Sequence, residues 1–146
     1  MKPSALFTPQ EETLLIEAIR RAEKATSGEI RIHVENHCSG EVLDRAVAVF
    51  DSLGMRETEA RNGVLIYVAL KDRRSAIIGD RGVNAHVGRE FWQAAAEAMN
   101  ARFAAGHFAE GIETAIGMLA EELRGHFPYQ PDDVNELPDE ISYGNN

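Results

Sequence analysis

At 146 residues, with 44% hydrophobic and 27% charged side chains, the chain has the size and composition of one globular domain, and neither wholesale disorder nor a fibrous architecture fits. A net charge of −9 makes the electrostatic term behind nonspecific nucleic-acid binding repulsive, so DNA and RNA are excluded as expected partners. The longest apolar run, Val64 to Leu70, falls far short of the roughly 20 residues of a membrane span, no secretory pattern opens the chain, and the lone Cys38 cannot form an internal disulfide, so a cytoplasmic protein without membrane insertion is expected.

Thr8-Pro9-Gln10-Glu11 has the form of a capping box, in which the Thr8 hydroxyl and Glu11 carboxylate satisfy N–H groups that a helix start leaves unpaired, with Pro9 at the first helical position. Leu15, Ala18, Ile19, Ala22 and Ala25 follow at three- and four-residue spacing, one apolar stripe, and Gly28 lies just past its end. Ile30, Ile32 and Val34 then alternate with Glu29, Arg31, His33 and Glu35, the pattern of an outer strand with one buried and one wet face. Leu43, Ala46, Val47, Phe50 and Leu53 return to helical spacing, and Gly54 suits the left-handed residue that ends a helix.

Val64 to Leu70 is apolar on both faces, as a central strand covered on each side should be. The helix between the two strands leaves length for a crossover, so the pair is expected to be parallel and right-handed. Lys71-Asp72-Arg73-Arg74 is short enough only to turn the chain back, which makes Ser75 to Ile78 an antiparallel neighbour and the sheet mixed. Phe91, Ala95, Ala98, Met99 and Arg102 line one later helix, and Phe108, Ile112, Ala115, Ile116, Leu119 and Leu123 line another after Gly106.

Pro128, Pro131 and Pro138 mark residues 127–146 as an irregular tail with a short extended piece at Ile141-Ser142-Tyr143. Asp132, Asp133, Glu136, Asp139 and Glu140 make this tail acidic, without one Lys or Arg, and suited to presenting an extended segment to a protein partner.

Phosphate-binding Gly-Lys-Ser/Thr loops and serine nucleophile elbows are absent. Cys38 shows none of the electropositive setting of a reactive thiol. His33 and His37 would lie about 13 Å apart along an extended strand, so zinc is not expected. What remains is positional: Gly28-Glu29, Asn62-Gly63 and Gly79-Asp80-Arg81-Gly82 fall at the same edge of the expected sheet. Glu29, Asp80 and Asn62 there offer hard oxygen ligands suited to Ca²⁺ or Mg²⁺, while the same residues also read as turn glycines beside solvated carboxylates. Asp72, at the opposite edge with Glu35 and Asn36, is a further candidate ligand that equally suits a turn.

Asn62-Gly63-Val64-Leu65-Ile66-Tyr67-Val68-Ala69-Leu70, then Asp72-Arg73-Arg74, then Ile77-Ile78-Gly79-Asp80-Arg81-Gly82 resemble the TPM domain family in order and spacing. Phe103-Ala104-Ala105-Gly106-His107-Phe108-Ala109-Glu110-Gly111 is similar to that family's Phe-x-x-Gly-x-aromatic-x-x-Gly segment. The resemblance, over roughly residues 10–125, implies an α/β fold, an α/β/α sandwich with a small mixed sheet flanked by helices on both faces; length, composition and the acidic, proline-containing end divide the chain into one domain over residues 1–126 and a tail at 127–146. The resemblance also implies binding of divalent cations and, in some plant relatives, an acid phosphatase activity. The family's glycine-aromatic-glycine element is replaced here by Gly79-Asp80-Arg81-Gly82, which adds a carboxylate. The expectation is a domain that binds Ca²⁺ or Mg²⁺ at Asp80 and Glu29, with Asn62 and Asp72 as further ligands, and has little or no catalysis of its own. The alternatives are a metal-assisted phosphatase acting on phosphate monoesters and a protein-interaction module using the tail.

Overall fold

The computed structural model describes residues 6–130 and 136–144. Helix α1 (Pro9–Ala25) opens on the expected capping box, with Glu11 N–H donating to Thr8 Oγ1 at 3.1 Å and Thr8 N–H donating to Glu11 Oε1 at 2.9 Å. Strand β1 (Glu29–Glu35), helix α2 (Val42–Ser52) and strand β2 (Gly63–Ala69) follow, then β3 (Arg74–Gly79), the short α3 (Arg81–Asn84), α4 (Arg89–Ala104), α5 (Phe108–His126) and a two-residue β4 (Ser142–Tyr143). A 3-10 turn at Met55–Glu57 leads from α2 towards β2, and Gly54 before it takes φ 70°, the left-handed conformation expected at that helix end. No described helix is long and apolar enough to cross a membrane.

The sheet runs in the order β3-β2-β1-β4. β1 pairs with β2 in parallel from Glu29↔Gly63 to Glu35↔Ala69, and β2 pairs with β3 antiparallel from Val64↔Gly79 to Ala69↔Arg74, so the sheet is mixed. Ile30, Ile32, Val34, Val64, Ile66 and Val68 pack into one core with apolar residues of α1, α4 and α5. On the other face Leu65, Tyr67 and Ala69 meet Ala46, Val49 and Phe50 of α2, with Met55. Helices therefore cover both faces, an α/β/α sandwich, and β2 is buried along its whole length because each of its apolar faces meets one layer.

Two expectations need correction. β1 is not an outer strand with a wet face: all seven of its residues are buried. β4 pairs on its far side, with His33↔Ser142 and Val34↔Tyr143, and the described tail residues bond to its polar side chains. Keeping polar groups from water is costly unless they find partners. Here Leu137 N–H donates to Glu29, Arg31 donates to the Glu140 carbonyl at 3.3 Å, and His33 bonds Ser142 Oγ at 2.8 Å. The tail is thus packed along Leu137–Gly144 rather than irregular throughout, and the extended piece expected around Ser142 is β4; Pro131, Asp132 and Asp133 lie outside the described residues.

The apolar face of α2 is also rotated from the expected stripe. Ala46, Val49 and Phe50 are buried, whereas Leu43 and Val47 remain 59% and 41% exposed. They flank β3, which is the free edge of the described sheet.

Candidate functional site

β2 begins at the same edge at which β3 ends, and the loops there build a cleft around Asp80. Asp80 N–H donates to Gly63 O at 2.9 Å, and its carboxylate caps α3 by accepting from Arg81 N–H at 2.7 Å. Arg61 reaches the same carboxylate as a fork, Nε to Oδ2 at 2.7 Å and Nη2 to Oδ1 at 2.8 Å. Burial opposes ionisation of Asp80, but the bonds from Arg61 and the Arg81 N–H outweigh it and hold the carboxyl below its ordinary range. The same pairing raises Arg61.

Arg61 sits at φ 51°, in the left-handed region that costs a residue with a side chain about 1 kcal/mol. Gly82 N–H donating to Arg61 O at 3.0 Å helps to keep it there. That approach needs glycine: a Cβ on Gly82 would stand 2.3 Å from Ala60 O, and one on Gly79 would stand 2.8 Å from the Trp92 ring. Gly28 and Gly63 are hemmed in the same way, by Leu123 and by the Met55 carbonyl. The glycines of this rim let the chain approach itself.

The cleft holds about 500 Å³ over Phe50, Ile78 and Trp92. Arg56, Arg61 and Arg81 line it, with Asn84, and Asp80 is the one acidic residue among its described lining. Asp51 pairs with Arg56, while Arg81 forms no ion pair among the described residues. With Arg61 balanced by Asp80 and Arg56 by Asp51, Arg81 is the cationic lining residue left without a carboxylate partner among the described residues, in a chain that is acidic overall. The Trp92 indole N–H, between this cavity and the next along β3, is buried without an acceptor.

The expected cation ligands divide. Glu29, Gly63 and Asp80 lie side by side on one face of the sheet, so Glu29 and Asp80 are separated by two strand spacings, roughly 10 Å between backbones. Their carboxylates take different partners, Asp80 with Arg61 and Glu29 with Leu137 N–H at 2.7 Å. Asn62 joins the rim through its carbonyl, which accepts from Glu29 N–H at 3.2 Å, and its Nδ2 donates to Ser27 O at 3.1 Å; its buried Oδ1 has no partner. Asp72 stands at the other end of β3, where it bonds His37 at 2.9 Å and accepts from Cys38 N–H at 2.7 Å. The bonds to His37 and Cys38 N–H hold the Asp72 carboxyl low. Among the described residues no three His, Cys, Asp or Glu side chains are grouped to hold a metal ion. Among the described residues this arrangement offers no cage of protein ligands for a cation.

Two polar clusters escaped the sequence reading. Glu35, fully buried, accepts from Arg45 Nη2 at 2.7 Å and Nε at 2.9 Å, from His33 Nε2 at 3.0 Å and from the Tyr67 hydroxyl. A carboxylate only accepts, so His33 carries its proton on Nε2 and takes the Ser142 hydroxyl on Nδ1. At the other end of β1, burial lifts Glu29 to about 7 despite the Leu137 bond, and Glu136 and Asp139 push it further. Burial, and then a hydrogen bond with Asp139, raise Glu23 to about 8. The only signal for either cluster was the ladder Glu29, Arg31, His33 and Glu35, which reads equally well as a solvated strand face.

The sequence profile of the TPM domain matches residues 1–122. The NMR structure of the BA42 protein from the psychrophilic bacterium Bizionia argentinensis is similar at 43% identity and a TM-score of 0.90, covering 94% of this chain and 95% of that one. The N-terminal domain of a protein from P. gingivalis shares the fold at 16% identity and a TM-score of 0.71, over 86% of this chain and 82% of that one. The N-terminal domain of the cg2496 protein from Corynebacterium glutamicum does so at 15% and 0.56, over 96% and 81%. No curated protein matches the chain.

Proposed function

Because this chain belongs to the TPM domain family, we propose that it is a binding domain, with little or no catalysis of its own, that takes a phosphate-bearing anion into the Asp80 cleft. The convergence of Arg56, Arg61 and Arg81 on one cavity carries this reading. Planar guanidinium forks match the paired oxygens of a phosphate, and an incoming phosphate competes with Asp80 for Arg61 while meeting the unpaired Arg81. The same geometry rules out one catalytic role for Asp80, that of general acid. Asp80 is held ionised, so it has no proton to give a leaving group near neutral pH.

Calorimetric titration with inorganic phosphate and with phenyl phosphate tests the proposal. Binding is expected to weaken about tenfold in Arg61→Ala and in Arg81→Ala, and to strengthen in Asp80→Asn, which removes the competing carboxylate. No heat at millimolar phosphate would sink it. Measurable phenol release in the presence of a divalent ion, lost in Asp80→Asn at unchanged stability, would instead favour a metal-assisted phosphatase.

A second reading keeps Ca²⁺ or Mg²⁺ at Glu29, with Asn62 beside it. Its support is the lift of Glu29 to about 7 by burial, to which Glu136 and Asp139 add; a cation would offset this unfavourable negative charge in place of a proton. A hydrated Mg²⁺ needs only one or two carboxylates, the remaining positions being water. Melting at pH 8 with and without millimolar MgCl₂ or CaCl₂ decides it: an upward shift that disappears in Glu29→Gln supports the site, and superimposable curves dispose of it.

A further inference from the structure

β3 is the open edge of the described sheet, with β2 on one side and no strand on the other. Asp80 N–H donates to Gly63 O, so the alternation of an antiparallel ladder turns the N–H and C=O groups of Ser75, Ile77 and Gly79 away from β2. Among the described residues only the Gly79 carbonyl is met there, by Asn84 Nδ2 at 2.8 Å. Natural edges are usually blunted by proline, lysine, a bulge or a covering segment, and Ser75 to Gly79 contains neither Pro nor Lys. The six residues of β3 span about 20 Å, room for one more strand of similar length.

The edge lies in a groove. The Asp80 cavity continues past Ile77 and Trp92 into a second, of about 530 Å³, between Leu43 of α2 and Arg89 of α4. The exposed Leu43 and Val47 stand on one wall and Trp92 on the other, giving apolar footholds for side chains beside the edge. Arg56, Arg61, Arg81 and Arg89 line the two cavities, against Asp80 as their one described acidic residue, and neither Arg81 nor Arg89 has an ion pair among the described residues.

We infer that this groove binds an extended acidic peptide of another protein, which adds to β3 as a further strand and sets its carboxylates against Arg81 and Arg89. Backbone bonds to Ser75 and Ile77 hold the strand, and the arginines select its charge. A second copy of this chain is disfavoured, because pairing two β3 edges would bring like-charged arginine walls together. The chain's own tail is committed elsewhere, with Ser142–Tyr143 paired to β1 at the opposite side of the sheet. At the Asp80 end the inference rests on the anion reading of that cleft; along Ser75 to Ile77 it stands on the open edge alone.

The test uses the full chain, the acetylated and amidated peptide Glu-Val-Glu-Val-Glu-Val, its Lys-for-Glu counterpart and a Glu peptide N-methylated at alternate amides. The Glu peptide is expected to bind about tenfold or more tighter than either of the others, and to slow hydrogen exchange at the Ser75 and Ile77 amides. Arg89→Ala, which leaves the Asp80 cleft untouched, should weaken the peptide severalfold and leave inorganic phosphate binding unchanged. Ser75→Pro removes an outward N–H without breaking the β2–β3 ladder and should abolish peptide binding in a protein whose melt matches wild type within a few degrees. Equal affinity for the Lys peptide, tolerance of N-methylation, no peptide binding, or a dimer that buries β3 in sedimentation would each overturn the inference. Phosphate binding without peptide binding would overturn it and leave the anion reading standing.

Discussion

Arg45 grips Glu35 through two bonds, Nε to Oε2 at 2.9 Å and Nη2 to Oε1 at 2.7 Å, bringing a helix residue onto a carboxylate that β1 keeps from water. Burial opposes this charge, yet the bonds from Arg45, Tyr67 and His33 hold the Glu35 carboxyl at about 2, against 4.5 in an unfolded chain. A group depressed in the folded state contributes stability above its unfolded value and loses it as pH falls through the folded one. The chain should therefore lose on the order of 3 kcal/mol between pH 4.5 and 2 through this residue alone. Urea unfolding across that range, wild type against Glu35→Gln, measures it; parallel pH dependences in the two proteins would contradict the assignment.

Removing the partner rather than the acid is more damaging. Arg45→Ala leaves Glu35 charged and buried with only Tyr67 and His33 as side-chain donors, and should cost about 3 kcal/mol or more. Chemical denaturation at pH 7 gives the value, and a loss below about 1 kcal/mol would mean that water replaces the guanidinium.

Glu29 and Glu23 have the opposite sign. Their folded-state values of about 7 and 8 lie above 4.5, so their contribution is full below the unfolded value and is lost as pH rises through 7 and 8. The melting temperature should fall from pH 6 to pH 9, even though the Leu137 N–H, which donates to Glu29, favours the ionised carboxylate. Glu29→Gln keeps an acceptor for that N–H and should flatten the dependence. A wild-type melt that rises over this interval would refute the sign.

Leu137 is the apolar anchor of the tail, buried in the core cluster that also holds Tyr67 and Ala46, Val49 and Phe50 of α2. Leu137→Ala should destabilise by about 2 kcal/mol, and truncation after Gln130 by more, since it also strips the partners of Glu29, Arg31 and His33. Urea midpoints of the two variants test this; an unchanged midpoint for the truncated chain would show that the tail merely rests on β1.

Two glycines provide a matched pair. Gly82→Ala drives a methyl to 2.3 Å from Ala60 O and should cost about 2 kcal/mol or more, whereas Gly117→Ala, in α5 with open space around it, should stabilise by about 0.5–1 kcal/mol. Thermal melts of both should move in opposite directions.

The helix caps, the parallel pairing of β1 with β2 and the return of β3 were legible because each depends on residues near in sequence: Thr8 with Glu11, the seven apolar residues of β2, the four-residue turn at Lys71. The Asp80 rim was legible for a related reason, as strand order alone brings Glu29, Gly63 and Asp80 to one edge. Which partner each carboxylate takes was not, because Arg61 and Leu137 reach them from loop and tail positions that carry no periodic signal.

Local order along this chain thus follows from its own pattern of apolar and turn residues. The state of its polar groups does not. The ladder Glu29, Arg31, His33 and Glu35 would be wet on an outer strand and is dry here, because a segment more than a hundred residues later lies across it and supplies backbone bonds that no side-chain pattern announces. Burial of a charge, the proton it holds and the partner it takes are set by the dielectric and by neighbours brought from afar, and both come into existence only when the chain has closed on itself.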